Sequence, residues 1–154
     1  MSSENLVHIK LESGPLTPTY SPASEESGHC GAEVVFLGRT RPEEHPVHGK
    51  LLTLNYECHP TLAIAALHII GHDLLNQHQL EMISIRHALD HIPVGFASVE
   101  IRILSPHRAQ AFAACSEAMN RIKSEVAIWK QECWENGKNW SESSSPLTAG
   151  DFSK

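Results

Sequence analysis

Runs of strand-like sequence, punctuated by only two helical stretches, limit what this chain can fold into. Val7 to Leu11 reads V-H-I-K-L, with the apolar-polar alternation of a strand that buries one face. Ala32 to Leu37 (A-E-V-V-F-L) is a short β-branched and aromatic run ending at Gly38, the signal of a buried strand. Leu51 to Glu57 (L-L-T-L-N-Y-E) alternates again and should pair with an earlier strand. Met82 to Ala88 and Phe96 to Leu104 add two more strands, and Asp90 to Gly95 between them has the Pro and Gly of a turn. Ala127 to Trp134 also reads as extended. Pro60 opens the first helix, where its missing N–H costs least. Leu62, Ala65, Ala66, Ile69 and Leu74 give that helix an apolar stripe through to about Gln79. The second helix should begin near Ser105 and Pro106, with serine as cap and proline in the first turn. Its stripe is Ala109, Phe112, Ala113, Ser116, Met119, Ile122 and Val126, and Cys115 falls within the same pattern as core packing. Gly14 to Gly31 should be loop with at most a short helix, Arg39 to Gly49 an exposed loop, and the end after Trp140 a Ser-rich, low-complexity tail. This order predicts one α+β domain over residues 1–154, with a mixed or antiparallel sheet and two main helices.

Composition narrows the function classes. The 154 residues are 41% apolar, too many for a disordered acidic polypeptide. No apolar run approaches the roughly 20 residues of a membrane helix. Met1 to Asn5 carry no basic or apolar leader, so a cytoplasmic protein without membrane association is expected. With 12 basic against 18 acidic residues, a broad nucleic-acid-binding face is excluded, whereas a local anion pocket is not. The four cysteines form no C-x-x-C pair. His68 and His72 have the i, i+4 spacing of a helical metal site, but Ile69 stands where the catalytic motif needs Glu, and no metal is expected.

Three stretches combine basic residues with exposed backbone at element ends. F-L-G-R-T-R (36–41) closes a strand, and Arg39 and Arg41 share a side if the chain stays extended. S-P-H-R (105–108) lies at a helix N-terminus, which attracts anions through free N–H groups and its dipole. K-S-E-V-A-I-W-K-Q-E (123–132) places Lys123 near Val126, Ile128 and Trp129, apolar neighbours that would desolvate its ammonium. Singly, each is also what solvated surface looks like. Together they point to an anion pocket with a lysine as candidate base or nucleophile.

In this order the three stretches resemble the large, catalytic subunit of molybdopterin synthase. The resemblance runs from about Gly31 to Trp140 and rests on S-x-H-R paired with K-x(6)-K-x-E around I-W-K, with G-A-x-V-x-F-x-G-x-x-R upstream. It implies a hammerhead-type α+β fold and a central homodimer. A small ubiquitin-like sulfur-carrier subunit would dock at each end, completing a heterotetramer. It implies a sulfurtransferase of molybdenum cofactor biosynthesis, needing no cofactor of its own. That enzyme takes sulfur from the carrier's C-terminal thiocarboxylate and gives it to cyclic pyranopterin monophosphate, making the dithiolene of molybdopterin. Residue by residue, the resemblance makes Lys123 and Lys130 catalytic and sets Arg41, His107 and Arg108 on the substrate. It sets Phe36, Arg39 and Glu132 near the carrier tail and pocket. The alternative is a non-catalytic partner-docking module of the same fold.

Overall fold

The computed structural model describes residues 6–19 and 28–142. In chain order the elements are β1 (Val7–Ser13), β2 (Ala32–Arg39), β3 (Glu44–His45), β4 (Gly49–Cys58) and α1 (Pro60–Gln77). Then follow β5 (Met82–Pro93), β6 (Ala97–Ser105), α2 (Arg108–Glu125), β7 (Ile128–Trp134) and β8 (Gly137–Trp140). The strands form one sheet in the order β2-β6-β5-β4-β7-β8, with β3 on β4 and β1 on β5. Only the β1–β5 pair is parallel among the described strands, so the sheet is mixed and the architecture α+β, as expected.

The sheet turns on β5. Its first part lies between β1 and β6, and its last four residues, Asp90 to Pro93, pair with Thr53 to Tyr56 of β4 instead. Asp90 makes the change of partner with a φ of 66°. The expected turn from Asp90 to Gly95 is therefore mostly strand, and the chain reverses only over residues 94–96, where Gly95 has a φ of 91°. Residues with turn chemistry are held extended by a partner strand that local sequence does not reveal.

The segment expected as an exposed loop after Arg39 is partly built in. Thr40 is buried. Its N–H donates to the Phe96 carbonyl at 3.0 Å, its hydroxyl donates to the Ile92 carbonyl at 3.2 Å, and its own carbonyl accepts from Gly95 N–H. Glu44 and His45 then form a short hairpin with Gly49 and Lys50. Strand β8, polar and exposed, was not expected at all and pairs back on β7.

Both helices occur where the sequence places them, but each buries a different face from the expected one. α1 buries Ala63, Leu67, Ile70, Gly71, Leu74 and Leu75, leaving Leu62 and Ile69 exposed. α2 buries Ala111, Ala114, Cys115, Ala118 and Ile122, while Phe112 is 63% exposed. Of the stripe expected on α2, only Ile122 and Val126 are buried, together with Cys115. Apolar residues on several sides of each helix admit more than one stripe. The small residues mark the true contact faces, because only they let a helix lie close to a sheet. α2 also starts at Arg108 rather than near Ser105. Gly31 N–H donates to the Pro106 carbonyl, which extends the β2–β6 ladder and keeps this segment out of the helix.

Gly71 tests this close approach. A Cβ there would lie 2.5 Å from Val7 Cγ1. Alanine is favoured over glycine in a helix by about 1 kcal/mol, whereas overpacking a core costs roughly 1–3 kcal/mol. Gly71→Ala is expected to lower the urea midpoint, with a net loss of about 1 kcal/mol. A raised midpoint would mean that β1 shifts away freely.

The main core, with Leu67, Ile70, Leu74, Ile83, Ile85, Ile101 and Ile103, lies between the helices and one face of the sheet. A smaller cluster, Leu16, Ala88, Ile92 and Ala97, sits where β5 changes partners, with Leu37 and Tyr56 packed against it. Arg86, Glu100 and Arg102 alternate in β5 and β6 with the core isoleucines and belong to a polar layer. Arg86 bonds Glu12 at 2.6 Å, Glu100 at 3.0 Å and the Thr17 carbonyl at 3.1 Å. Thr19 donates to both oxygens of Glu100 and accepts from Arg102, which also pairs with Glu33 at 2.5 Å. The described part of the expected loop is thus a strap over buried charge. Residues 20–27 and the tail from 143 onward lie outside the described residues. No helix among the described residues is long and apolar enough to cross a membrane.

Candidate active site

Strands of the sheet and α2 converge to form a cavity of about 440 Å³ beside the smaller core cluster. Strands β4 and β7 supply one wall. Their antiparallel register sets Tyr56 opposite Lys130 and Leu54 opposite Glu132, and the two-residue alternation puts Ile128, Lys130 and Glu132 on one face. The C-terminal half of α2 adds Met119, Ile122 and, in its last turn, Lys123, a cation where the helix dipole favours one. The end of β2 and the segment after it bring Phe36, Gly38, Arg39, Arg41 and Glu43. A register shift between Gly38 and Arg39 turns the chain here, and Gly38 is pressed against Val99, whose Cγ1 would lie 2.5 Å from a Cβ.

Arg39, Arg41, Lys123 and Lys130 line the cavity against two carboxylates, Glu43 and Glu132, an excess of two positive charges (4 − 2) in a chain of formal charge −6. Arg41 is paired with Glu43 at 3.3 Å, an exposed contact worth about 0–1 kcal/mol. Arg39 donates to the Gly95 carbonyl at 3.0 Å, tying the end of β2 to the β5–β6 turn. Neither Lys123 nor Lys130 has an ion-pair partner among the described residues. Lys130 is half-buried, but Lys123 is exposed. Burial therefore does not supply the desolvation expected of Lys123, although Ile128 lines the same cavity.

Six of the eight residues singled out from the sequence therefore meet in one place: Phe36, Arg39, Arg41, Lys123, Lys130 and Glu132. His107 and Arg108 do not. They stand exposed at the N-terminal end of α2, fifteen residues from Lys123, or about 22 Å at the helical rise of 1.5 Å per residue. Sequence reading missed the uncharged polar floor of Tyr56, His87 and Ser98. Only Tyr56 left a signal, since the alternation of L-L-T-L-N-Y-E puts it on the same face as Leu54. None of the four cysteines lines the cavity, and burial pushes the thiols of Cys30, Cys58 and Cys115 up from their ordinary value. The site can hold anions without offering a thiolate.

Known proteins resemble this chain in sequence and fold. A molybdopterin synthase catalytic subunit of Aspergillus niger is 35% identical over 133 residues, covering 85% of this chain and 72% of that protein. The crystal structure of molybdopterin synthase from Staphylococcus aureus superposes with a TM-score of 0.73 at 31% identity, covering 87% of this chain and 95% of the other. A complex of subunits 1 and 2 of the molybdopterin-converting factor from Helicobacter pylori shares the fold, with a TM-score of 0.70 at 18% identity over 94% of this chain and 97% of that one. The model of the MoaE protein family matches residues 11–125, a span that includes Lys123 and the stretches 36–41 and 105–108, and the chain belongs to that family.

Proposed function

We propose that this chain is the catalytic subunit of a molybdopterin synthase. It moves sulfur from the thiocarboxylated C-terminus of a small ubiquitin-like subunit to cyclic pyranopterin monophosphate. The observation that carries the reading is the pair of lysines without ion partners among the described residues, in a cavity of net positive charge. A cyclic phosphate and a thiocarboxylate are both anions, and holding them side by side needs concentrated positive charge. The carrier brings its own sulfur nucleophile, which agrees with a cavity lined by no cysteine.

Lys123 and Lys130 act on the reacting groups in this reading, Arg41 on the substrate phosphate, and Phe36, Arg39 and Glu132 along the carrier tail. His107 and Arg108 cannot reach Lys123 within one chain. Their assignment to the substrate holds only if a second copy presents the N-terminal end of its α2 to this cavity, as a central homodimer allows.

The test is a single-turnover assay with thiocarboxylated small subunit and cyclic pyranopterin monophosphate, product being followed as the fluorescent oxidised pterin. Product from the wild type is expected. Complex formation without product would leave a docking module. The shared site has its own test. Mixed Lys123→Ala and Arg108→Ala chains should recover about a quarter of wild-type activity, because half the dimers are mixed and one of their two sites is intact. No recovery after subunit exchange would remove His107 and Arg108 from the site.

A further inference from the structure

The cationic wall is accounted for by charge, but the floor of the cavity is not. Three uncharged polar side chains from three strands meet there: Tyr56 from β4, His87 from β5 and Ser98 from β6. Long contacts orient the two hydroxyls, and a short one fixes the imidazole. The Tyr56 hydroxyl donates to Ser98 Oγ at 3.4 Å, and Ser98 Oγ donates to the Gly38 carbonyl at 3.5 Å. His87 Nδ1 lies 2.7 Å from the Ala88 carbonyl oxygen, which can only accept, so the ring proton sits on Nδ1 and Nε2 is left as an acceptor. Burial keeps the ring neutral, holding its pKa down to about 4. The Tyr56 and His87 rings meet edge to face at 5.0 Å, which fixes both.

Tyr56 Oη and His87 Nε2 thus form a pair of acceptors to which no described residue donates. Both residues line the cavity, so a ligand that displaces water there must bring N–H donors or leave the acceptors unpaired. Position decides which ligand. Arg39, Arg41 and Lys123 are exposed, whereas His87 and Ser98 are buried. A chain terminus reaching in from a partner arrives from the open side with its anionic end toward the lysines. What lies beyond it, at the buried end, is the small molecule. Tyr56 is also the register partner of Lys130, so floor and cationic wall adjoin.

We propose that Tyr56 Oη and His87 Nε2 accept hydrogen bonds from the N–H edge of the substrate's pterin ring, while the cations hold its phosphate. This rests on the pterin substrate proposed above. The ring chemistry fits: an uncharged heterocycle with amino and ring N–H groups along one edge meets an uncharged floor that offers acceptors.

The test uses Tyr56→Phe, which keeps the ring and its packing, and His87→Asn, which keeps a donor near Ala88 but has nothing at Nε2. With the thiocarboxylated small subunit saturating, the half-saturating concentration of cyclic pyranopterin monophosphate should rise about tenfold in each, with the maximal rate within about threefold. The affinity for the small subunit should not change. A half-saturation point unchanged in Tyr56→Phe overturns the inference, whether or not His87→Asn folds. A loss appearing only in small-subunit affinity also overturns it, because the acceptors would then serve the tail. No product from the wild type removes the substrate reading and this inference with it. Product from the wild type and an indifferent Tyr56→Phe removes the inference alone.

Discussion

Lys123→Ala should reduce the single-turnover rate by about 10²–10³-fold while leaving the folded state within about 0.5 kcal/mol of wild type. The side chain is exposed and carries no ion pair among the described residues, so its loss breaks nothing the fold depends on. Its effect on chemistry is larger because docking changes its surroundings. In the reaction proposed above, a carrier tail over the cavity expels water, and an ammonium that was screened becomes a strong local charge. Lys123→Arg separates two roles. If the lysine only stabilises developing negative charge, arginine should restore the rate to within about tenfold of wild type. If it must give or take a proton, arginine should stay as inactive as alanine, because a guanidinium does not deprotonate. A wild-type rate in Lys123→Ala would end the assignment. Lys130 is half-buried and sits on a strand, so Lys130→Ala should perturb the cavity wall as well as its charge.

What was legible in the sequence followed the range of the interactions involved. Strand alternation and the proline at the start of α1 are local signals, and those elements lie where they were expected. The extension of β5 to Pro93 was hidden because β4, a distant strand, holds Asp90 to Pro93 extended. Helix phase was misread for a related reason. Leu62 and Ile69 look as apolar as Leu67 and Ile70, and only the sheet, approached closely at Gly71, decides which face turns in. The cationic residues of the site were legible because cations at element ends stand out in an acidic chain. The acceptor floor was not. Tyr56, His87 and Ser98 come from separate strands, and each looks like ordinary strand sequence until the register brings them together.

Acid should unfold this protein in two stages, and single substitutions should remove each. His87 is held down to about 4 from 6.5 by burial, so the unfolded chain takes the proton first as pH falls. Stability is therefore full above pH 6.5 and declines toward pH 4, by up to about 3 kcal/mol at 1.36 kcal/mol per pKa unit. The second stage belongs to the polar layer. Burial pushes the Glu100 carboxyl up, but the N–H and hydroxyl of Thr19 and the guanidinium of Arg86 outweigh it and hold the carboxyl below 4.5. The Arg86 hydrogen bond does the same for Glu12. Both folded values lie below the unfolded ones, so this contribution is present above about pH 4.5 and is lost as pH falls through them. Glu100→Ala takes one of two carboxylates from Arg86, frees the N–H and hydroxyl of Thr19, and should cost about 3 kcal/mol at pH 7. Urea midpoints at pH 8, 5 and 3.5 distinguish the stages. His87→Asn should flatten the decline between pH 8 and 5, and Glu100→Ala should flatten it between 5 and 3.5 while lowering every midpoint. A wild-type midpoint that does not move between pH 8 and 5 would show that water reaches His87 and that the floor of the cavity is not dry.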